Sequence, residues 1–203
     1  MTTIASLTKR YIEGIYQTKA FMIKESPMTL HSGKKSHVYL NHRQFLTNTD
    51  YLTVIAKLYF ELIQSKSSDY CLGIVDSIMS PIIVGAMSVL FKKNYVIIQK
   101  KAMGHGTQES IFGTSQKPIV LIDDMTSTGE TLIDAAHKIR EKGGVVNYAV
   151  ISAYRETNAL DNLRSHDIEP LAIASFNEIV NTLFESFTEQ EKMIVQQYPL
   201  IMD

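Results

Sequence analysis

One stretch of the chain combines residue types and spacing suited to chemistry: an apolar run from Pro118 to Ile122, then Asp123-Asp124-Met125-Thr126-Ser127-Thr128-Gly129-Glu130-Thr131. The run delivers two adjacent carboxylates, and hydroxyl residues with a glycine follow at once. Main-chain N–H groups at Thr128 to Thr131, the dipole of a helix starting there and the hydroxyls of Ser127, Thr128 and Thr131 together suit a phosphate dianion. Gly129 lets the backbone approach it closely. Carboxylates repel phosphate, so Asp123 and Asp124 need another task nearby, and accepting hydrogen bonds from vicinal sugar hydroxyls beside a metal ion is the natural one. A ligand with a 5-phosphate, a ribose diol and a metal-bound pyrophosphate meets these demands, which describes phosphoribosyl pyrophosphate. The bland alternative is a solvated acid pair before a threonine-capped helix; an isolated Asp-Asp would take it, but the full string favours the ligand. Other nucleotide signatures are missing, since Gly104-His105-Gly106 reaches no third glycine and there is no Gly-x-x-x-x-Gly-Lys-Ser/Thr.

Strands and helices must alternate to place that stretch. Apolar runs at Tyr70–Val75, Tyr95–Ile98, Pro118–Ile122 and Val145–Ser152 read as strands. Between them, Pro81–Leu90 reads as a buried helix and Thr128–Glu141 as an amphipathic one. Such alternation predicts right-handed crossovers and a mostly parallel α/β sheet covered on both faces, with ligands at the C-terminal strand ends. Ahead of it lie an amphipathic helix (Ile4, Leu7, Tyr11, Ile12, Ile15), an extended stretch Phe21–Leu30, a polar turn, a strand at Val38–Leu40 and a helix capped by Asn48 or Thr49. Capping-box patterns at Ser175/Glu178 and Thr188/Glu191 predict a helical tail. Lys100–Ser115 shows almost no periodicity and contains Gly104, Gly106 and Gly113; its length suits a binding loop or a plain surface excursion equally. No repeat or linker marks a second domain.

Composition narrows the partners. The 203 residues carry 20 Lys+Arg against 21 Asp+Glu, a balance that provides no broad field for nucleic acid. Cys71 is the only cysteine, so no disulfide framework or cysteine-rich metal site is expected. No leader or membrane-spanning run is read, and a cytoplasmic protein without a membrane partner is expected.

With these residues in view, the chain resembles the type I phosphoribosyltransferases through Asp123 to Thr131, and within them the orotate phosphoribosyltransferases. Leu30-His31-Ser32-Gly33-Lys34-Lys35-Ser36-His37-Val38-Tyr39 is similar to that family's polar turn before an aromatic strand. Lys100-Lys101-Ala102-Met103-Gly104-His105-Gly106, with Ile111-Phe112-Gly113 behind it, is similar to its catalytic loop. The resemblance implies a doubly wound sheet with a small N-terminal hood, in one domain over 1–203: hood elements over about 1–45, core 46–155, and a C-terminal strand and helices over 156–203. It implies Mg²⁺-dependent transfer of phosphoribosyl from phosphoribosyl pyrophosphate to orotate, in a homodimer whose loop serves the neighbouring site. Asp123 and Asp124 would then hold the ribose hydroxyls, and Ser127 to Thr131 the 5-phosphate. Lys100, Lys101 and His105 would meet the departing pyrophosphate, Arg155 the carboxylate of the base, and Lys34 and Tyr39 would join the substrate contacts. No ligand set for the metal is assigned.

The chain departs from the family at cationic positions. Met103 stands where the loop has its catalytic lysine, Gln99 where an arginine opens it, His31 where a lysine precedes Ser-Gly, and Val75–Ser80 replaces a glycine-rich pyrophosphate loop. Each lost hydrogen bond to a charged group is worth about 1.5–3 kcal/mol. Two other readings therefore stand beside the first: a phosphoribosyl pyrophosphate-binding sensor with weakened turnover, and transfer to a different nucleobase. The remaining histidines, His37, His42, His137 and His166, read as ordinary core or surface residues, although His42 and Arg43 follow the strand closely enough to approach the site.

Overall fold

A computed structural model describes residues 3–30, 33–99 and 110–198. The N-terminal periodicity forms helix α1, Ile4–Gln17, capped by Thr3, whose side chain accepts from the Ser6 amide. Strands β1 (Phe21–Thr29) and β2 (Lys35–Leu40) pair antiparallel in a sheet of their own. The strand at Val38–Leu40 thus belongs to a separate hood rather than to the central sheet. Two helices follow, α2 (His42–Leu46) and α3 (Thr49–Gln64); Asn48 caps the second by accepting from the amides of Asp50 and Tyr51.

The alternating part runs β3 (Cys71–Ile74), α4 (Ser80–Phe91), β4 (Tyr95–Ile98), β5 (Ile111–Phe112), β6 (Ile119–Ile122), β7 (Met125–Thr126), α5 (Glu130–Glu141), β8 (Val146–Tyr154), α6 (Asn158–Ser165), β9 (Glu169–Ser175), α7 (Phe176–Leu183) and α8 (Glu189–Gln197). In the large sheet β5, β4, β3, β6 and β8 lie side by side, all parallel except β5. β7 resumes the pairing along β8 that β6 leaves, and β9 pairs along β8's other side. Side chains alternate between faces as pleating demands. Leu72, Ile74, Val120, Ile122 and Val150 join a core with α1, α3, α4 and α7. Cys71, Val96, Ile119, Leu121, Ala149 and Ile151 join a second core with α5 and α6. This is the expected mostly parallel, doubly wound α/β arrangement, and both capping boxes close as the tail patterns predict.

Three expectations change. The stretch Lys100–Ser115 is not one unbroken loop: Ile111 and Phe112 pair with Ile98 and Ile97, because apolar residues at a sheet edge gain both burial and main-chain bonds. The helix over Pro81–Leu90 is buried on one side only, with Ile82, Val89 and Leu90 exposed. Helix α5 starts at Glu130, not Thr128, since Gly129 turns left-handed at φ +84° immediately before it. No described helix is long and apolar enough to cross a membrane.

Candidate active site

The central strand β6 is buried along its whole length and leads directly into Asp123, whose amide still donates to Val150 O at 3.0 Å. Beyond it Asp124 O still accepts from the Ser152 amide at 3.0 Å, and each buried carbonyl has room for further donors. Three hydroxyls from three elements supply them: Ser80 Oγ of α4 to Ile122 O, Tyr59 Oη of α3 to Asp123 O, and Ser152 Oγ of β8 to Asp124 O. The acid pair is therefore held by its main chain before any side chain is considered.

The two carboxyl groups sit in different surroundings. Asp123 is 6% exposed; its Oδ1 accepts from Ser77 Oγ at 2.8 Å and from the Asp124 amide at 2.9 Å. Burial, and then the neighbouring Asp124 charge, push its pKa up to about 7 against those two bonds. Asp124 is less enclosed, with its side chain 20% exposed, and its Oδ2 lies 3.0 Å from His42 Nδ1. Burial alone would raise this carboxyl, but the hydrogen bond and charge of His42 outweigh it and hold Asp124 below the ordinary aspartate range. One member of the pair is thus poised near neutrality while the other stays ionised.

Beyond the acids the chain forms β7 and turns through Ser127 and Thr128, both exposed, to Gly129. Gly129 packs under α6: a Cβ added there would meet Leu163 Cγ at 3.2 Å and Ala159 O at 3.3 Å. Asn162 of α6 also donates to Thr128 O at 2.7 Å, which props the turn from below. The amides at the helix start are not all open, as the sequence suggested. Thr126 Oγ1 accepts from the Gly129 amide at 2.9 Å, and Thr128 Oγ1 accepts from the Glu130 amide at 3.4 Å. Exposed Ser127, Thr128 and Thr131, together with the helix N-terminus, still present donors to an anion.

A cleft of about 280 Å³ joins this turn to the hood. Lys34 and Tyr39 line it from the hood side, Met125, Thr126, Ser127 and Thr128 from the turn, and Arg155, Glu156 and Asn158 from the end of β8 and the start of α6. Arg155 bridges the two halves: one guanidinium nitrogen donates to Ser36 Oγ and another to Val38 O, each at 3.0 Å, while the group lies 4.1 Å from the Phe176 ring centroid. Burial lowers its pKa to about 10, which leaves it a full cation at neutral pH. Lys34 faces Glu156 at 3.8 Å, a partly exposed pair of little energetic weight.

The structure thus brings Asp123 to Thr131, Lys34, Tyr39 and Arg155 to one end of the sheet. Lys100, Lys101, His105, Met103 and His31 lie outside the described residues. At the foot of their loop Gln99 donates its amide to Ser110 O and accepts from Lys138 Nζ on its carbonyl, while its buried side-chain Oε1 meets no partner among the described residues. In the loop after β3, Asp76 and Ile78 are exposed, and Ser77 turns inward to Asp123. Sequence reasoning missed the contacts of Ser77, Tyr59 and Ser152 with the acids, and it left His42 as an ordinary residue. The one available signal was its position directly after a hood strand.

No protein-family model matches the chain. Among curated proteins, the orotate phosphoribosyltransferase of Methanocaldococcus jannaschii is 29% identical over 162 residues, covering 79% of this chain and 90% of that one. The enzyme of that name from Pyrococcus horikoshii is 33% identical over 162 residues, covering 75% and 84%. Among solved structures, orotate phosphoribosyltransferase from Aeropyrum pernix superposes with a TM-score of 0.72 at 22% identity, over 86% of this chain and 98% of that one. The doubly wound sheet, the acid pair at the end of its central strand and relatives that match over most of both lengths agree: the chain belongs to the orotate phosphoribosyltransferase family.

Proposed function

We propose that the protein transfers the phosphoribosyl group of phosphoribosyl pyrophosphate to orotate, releasing pyrophosphate and forming orotidine monophosphate in pyrimidine nucleotide synthesis. The observation that carries this reading is the cleft in which a phosphate-binding turn and a hood-anchored arginine face one another across about 280 Å³. A sugar phosphate at the turn and an anionic base at Arg155 would lie within one enclosure. Orotate is already an anion, so the chain need supply no general base. Its task is to stabilise charge as the ribosyl becomes cationic and pyrophosphate leaves.

In this reading Asp123 and Asp124 hold the ribose hydroxyls, and Ser127, Thr128 and Thr131 hold the 5-phosphate with the start of α5. Lys34, Tyr39 and Arg155 hold the base, and Lys100, Lys101 and His105 meet the pyrophosphate. No group of three or more His, Cys, Asp or Glu among the described residues could cage an ion. Mg²⁺ would arrive on the pyrophosphate of the substrate, where it would neutralise part of that charge. The reading extends to a single-domain, cytoplasmic homodimer. Exposed Ile82 and Val89, two turns apart on α4, with exposed Ile78 in the loop just ahead of the helix, support the dimer.

Incubation with Mg²⁺, phosphoribosyl pyrophosphate and orotate tests the transfer. Pyrophosphate release that depends on orotate is the expected result; release only with another base moves the acceptor, and tight donor binding without release makes the protein a sensor. The sensor reading draws on the loop after β3, where Asp76 is exposed and no cation stands. Met103→Lys, which restores the family's loop cation, should raise turnover.

A further inference from the structure

Behind Asp124 lies a buried polar group to which the proposed transfer assigns no task. His42, the first residue of α2, is 1% exposed. Its Nδ1 is 3.0 Å from Asp124 Oδ2, and its Nε2 is 2.8 Å from both Tyr11 Oη and Ser152 Oγ. Proton accounting fixes the direction of the first bond. An ionised Asp124 only accepts, so Nδ1 carries hydrogen whether the ring is neutral or charged. Ser152 spends its hydroxyl hydrogen on the Asp124 carbonyl. Tyr11 is then the donor to Nε2 of a neutral ring, and both hydroxyl oxygens can accept from a charged one. Tyr11 and Phe45 wall the imidazole, with ring centroids 6.0 and 6.4 Å away. The ring cannot turn without stranding a buried donor.

We propose that His42 is a positioning residue for the sugar diol: its Nδ1–H fixes the Asp124 carboxylate, and Tyr11 and Ser152 tie that bond to α1 and β8, so that the acid meets the ligand already oriented. The proposal rests on reading Asp123 and Asp124 as the holders of the ribose hydroxyls. The physical gain is preorganisation. A partly exposed carboxylate would otherwise lose rotational freedom on binding, whereas one anchored through a single oxygen loses it on folding. A merely structural histidine would satisfy core geometry without distinguishing one ligand from another, and this separates the two roles.

Calorimetric titration of the full chain with ribose 5-phosphate and, separately, with inorganic phosphate makes the distinction. In the wild type, ribose 5-phosphate should bind more tightly than inorganic phosphate; equal affinity overturns the reading of the acid pair itself, before any variant is considered. His42→Leu should then weaken ribose 5-phosphate by about 10- to 100-fold, the value of one hydrogen bond to a charged group, and change inorganic phosphate by less than about twofold. Parallel loss of both ligands, or loss of neither, overturns the positioning role. Asparagine and glutamine carry the test if leucine disturbs the fold. His42→Asn can donate from near the place of Nδ1 and should retain affinity for ribose 5-phosphate, while His42→Gln, whose donor lies nearer Nε2, should lose it. Equal behaviour of the two polar variants would refute the assignment.

Discussion

Two neighbouring parallel strands, β6 and β3, end side by side and each feeds a helix, but the two ends are built differently. After β6 the chain passes Thr126, Ser127 and Thr128 and reaches a left-handed Gly129, so that hydroxyls and main chain crowd the start of α5. After β3 it passes Asp76, Ser77, Ile78 and Met79 into α4 with no glycine and no cation. There the hydroxyl of Ser77 points inward, accepting from the Ser80 amide and donating to Asp123. One end presents donors outward, and the other uses its donor to brace its neighbour. A strand followed by a helix is therefore not enough for anion binding; the sign of local charge and the approach of the backbone decide it.

The sharpest way to break this contrast is to neutralise one acid at each end. Asp124→Asn should lower kcat/KM for the donor by about 100-fold or more, because more than one charge-assisted hydrogen bond weakens. Asp76→Asn should leave it unchanged or raise it, since an exposed carboxylate at an end without cations would repel an anionic leaving group. Steady-state kinetics that gave equal losses would erase the difference between the ends.

Next comes the pH dependence of stability, where the two acids oppose each other. The Asp123 carboxyl rises to about 7 in the fold from about 3.9 in an unfolded chain, so across that window the native state holds more protons. Its contribution to stability is greatest below about pH 4 and is lost as pH climbs to about 7. Asp124, held low, contributes stability above its unfolded value that disappears as pH falls. Asp123→Asn should accordingly raise the thermal midpoint relative to wild type more at pH 8 than at pH 5. A larger gain at pH 5 would mean that the acids have been assigned in reverse.

The smallest expected effects concern two glycines. Gly129→Ala forces a side chain into a left-handed backbone position already crowded by Leu163 and Ala159, and should cost about 1–3 kcal/mol in urea denaturation. Gly85→Ala, within α4 where an added Cβ meets nothing within 4 Å, should instead stabilise by about 0.5–1 kcal/mol. Phosphate affinity should fall with the first substitution and stay unchanged with the second.

What the sequence disclosed was mainly local. The acid pair at a strand end, the cap at Asn48 or Thr49 and both capping boxes depend on residues within a few positions of each other and appear in place, while the hydroxyl turn appears with its helix starting later and two of its amides already taken. Two-residue strands such as β5 and β7 are too short to show a period and form only because a distant partner is present. The apolar run of α4 looked buried all round because composition does not reveal which face meets a neighbour. The missing part of the site has the same origin: His42 and Asp124 are 82 positions apart, and Tyr11 and Ser152 meet the histidine from 31 positions before it and 110 after it. No spacing rule links such residues before the hood folds onto the sheet.

The bond from the Gln99 amide to the Ser110 carbonyl, 2.8 Å long, means that the chain leaves the sheet edge and rejoins it at one clasp. Whatever occupies positions 100–109 can thus be lengthened, shortened or exchanged for a relative's segment without moving the register of β4 and β5. Each doubling of such an insert costs only about 0.6 kcal/mol in closure entropy. The segment that carries Met103 is thus one that evolution, or an engineer, can replace as a cassette.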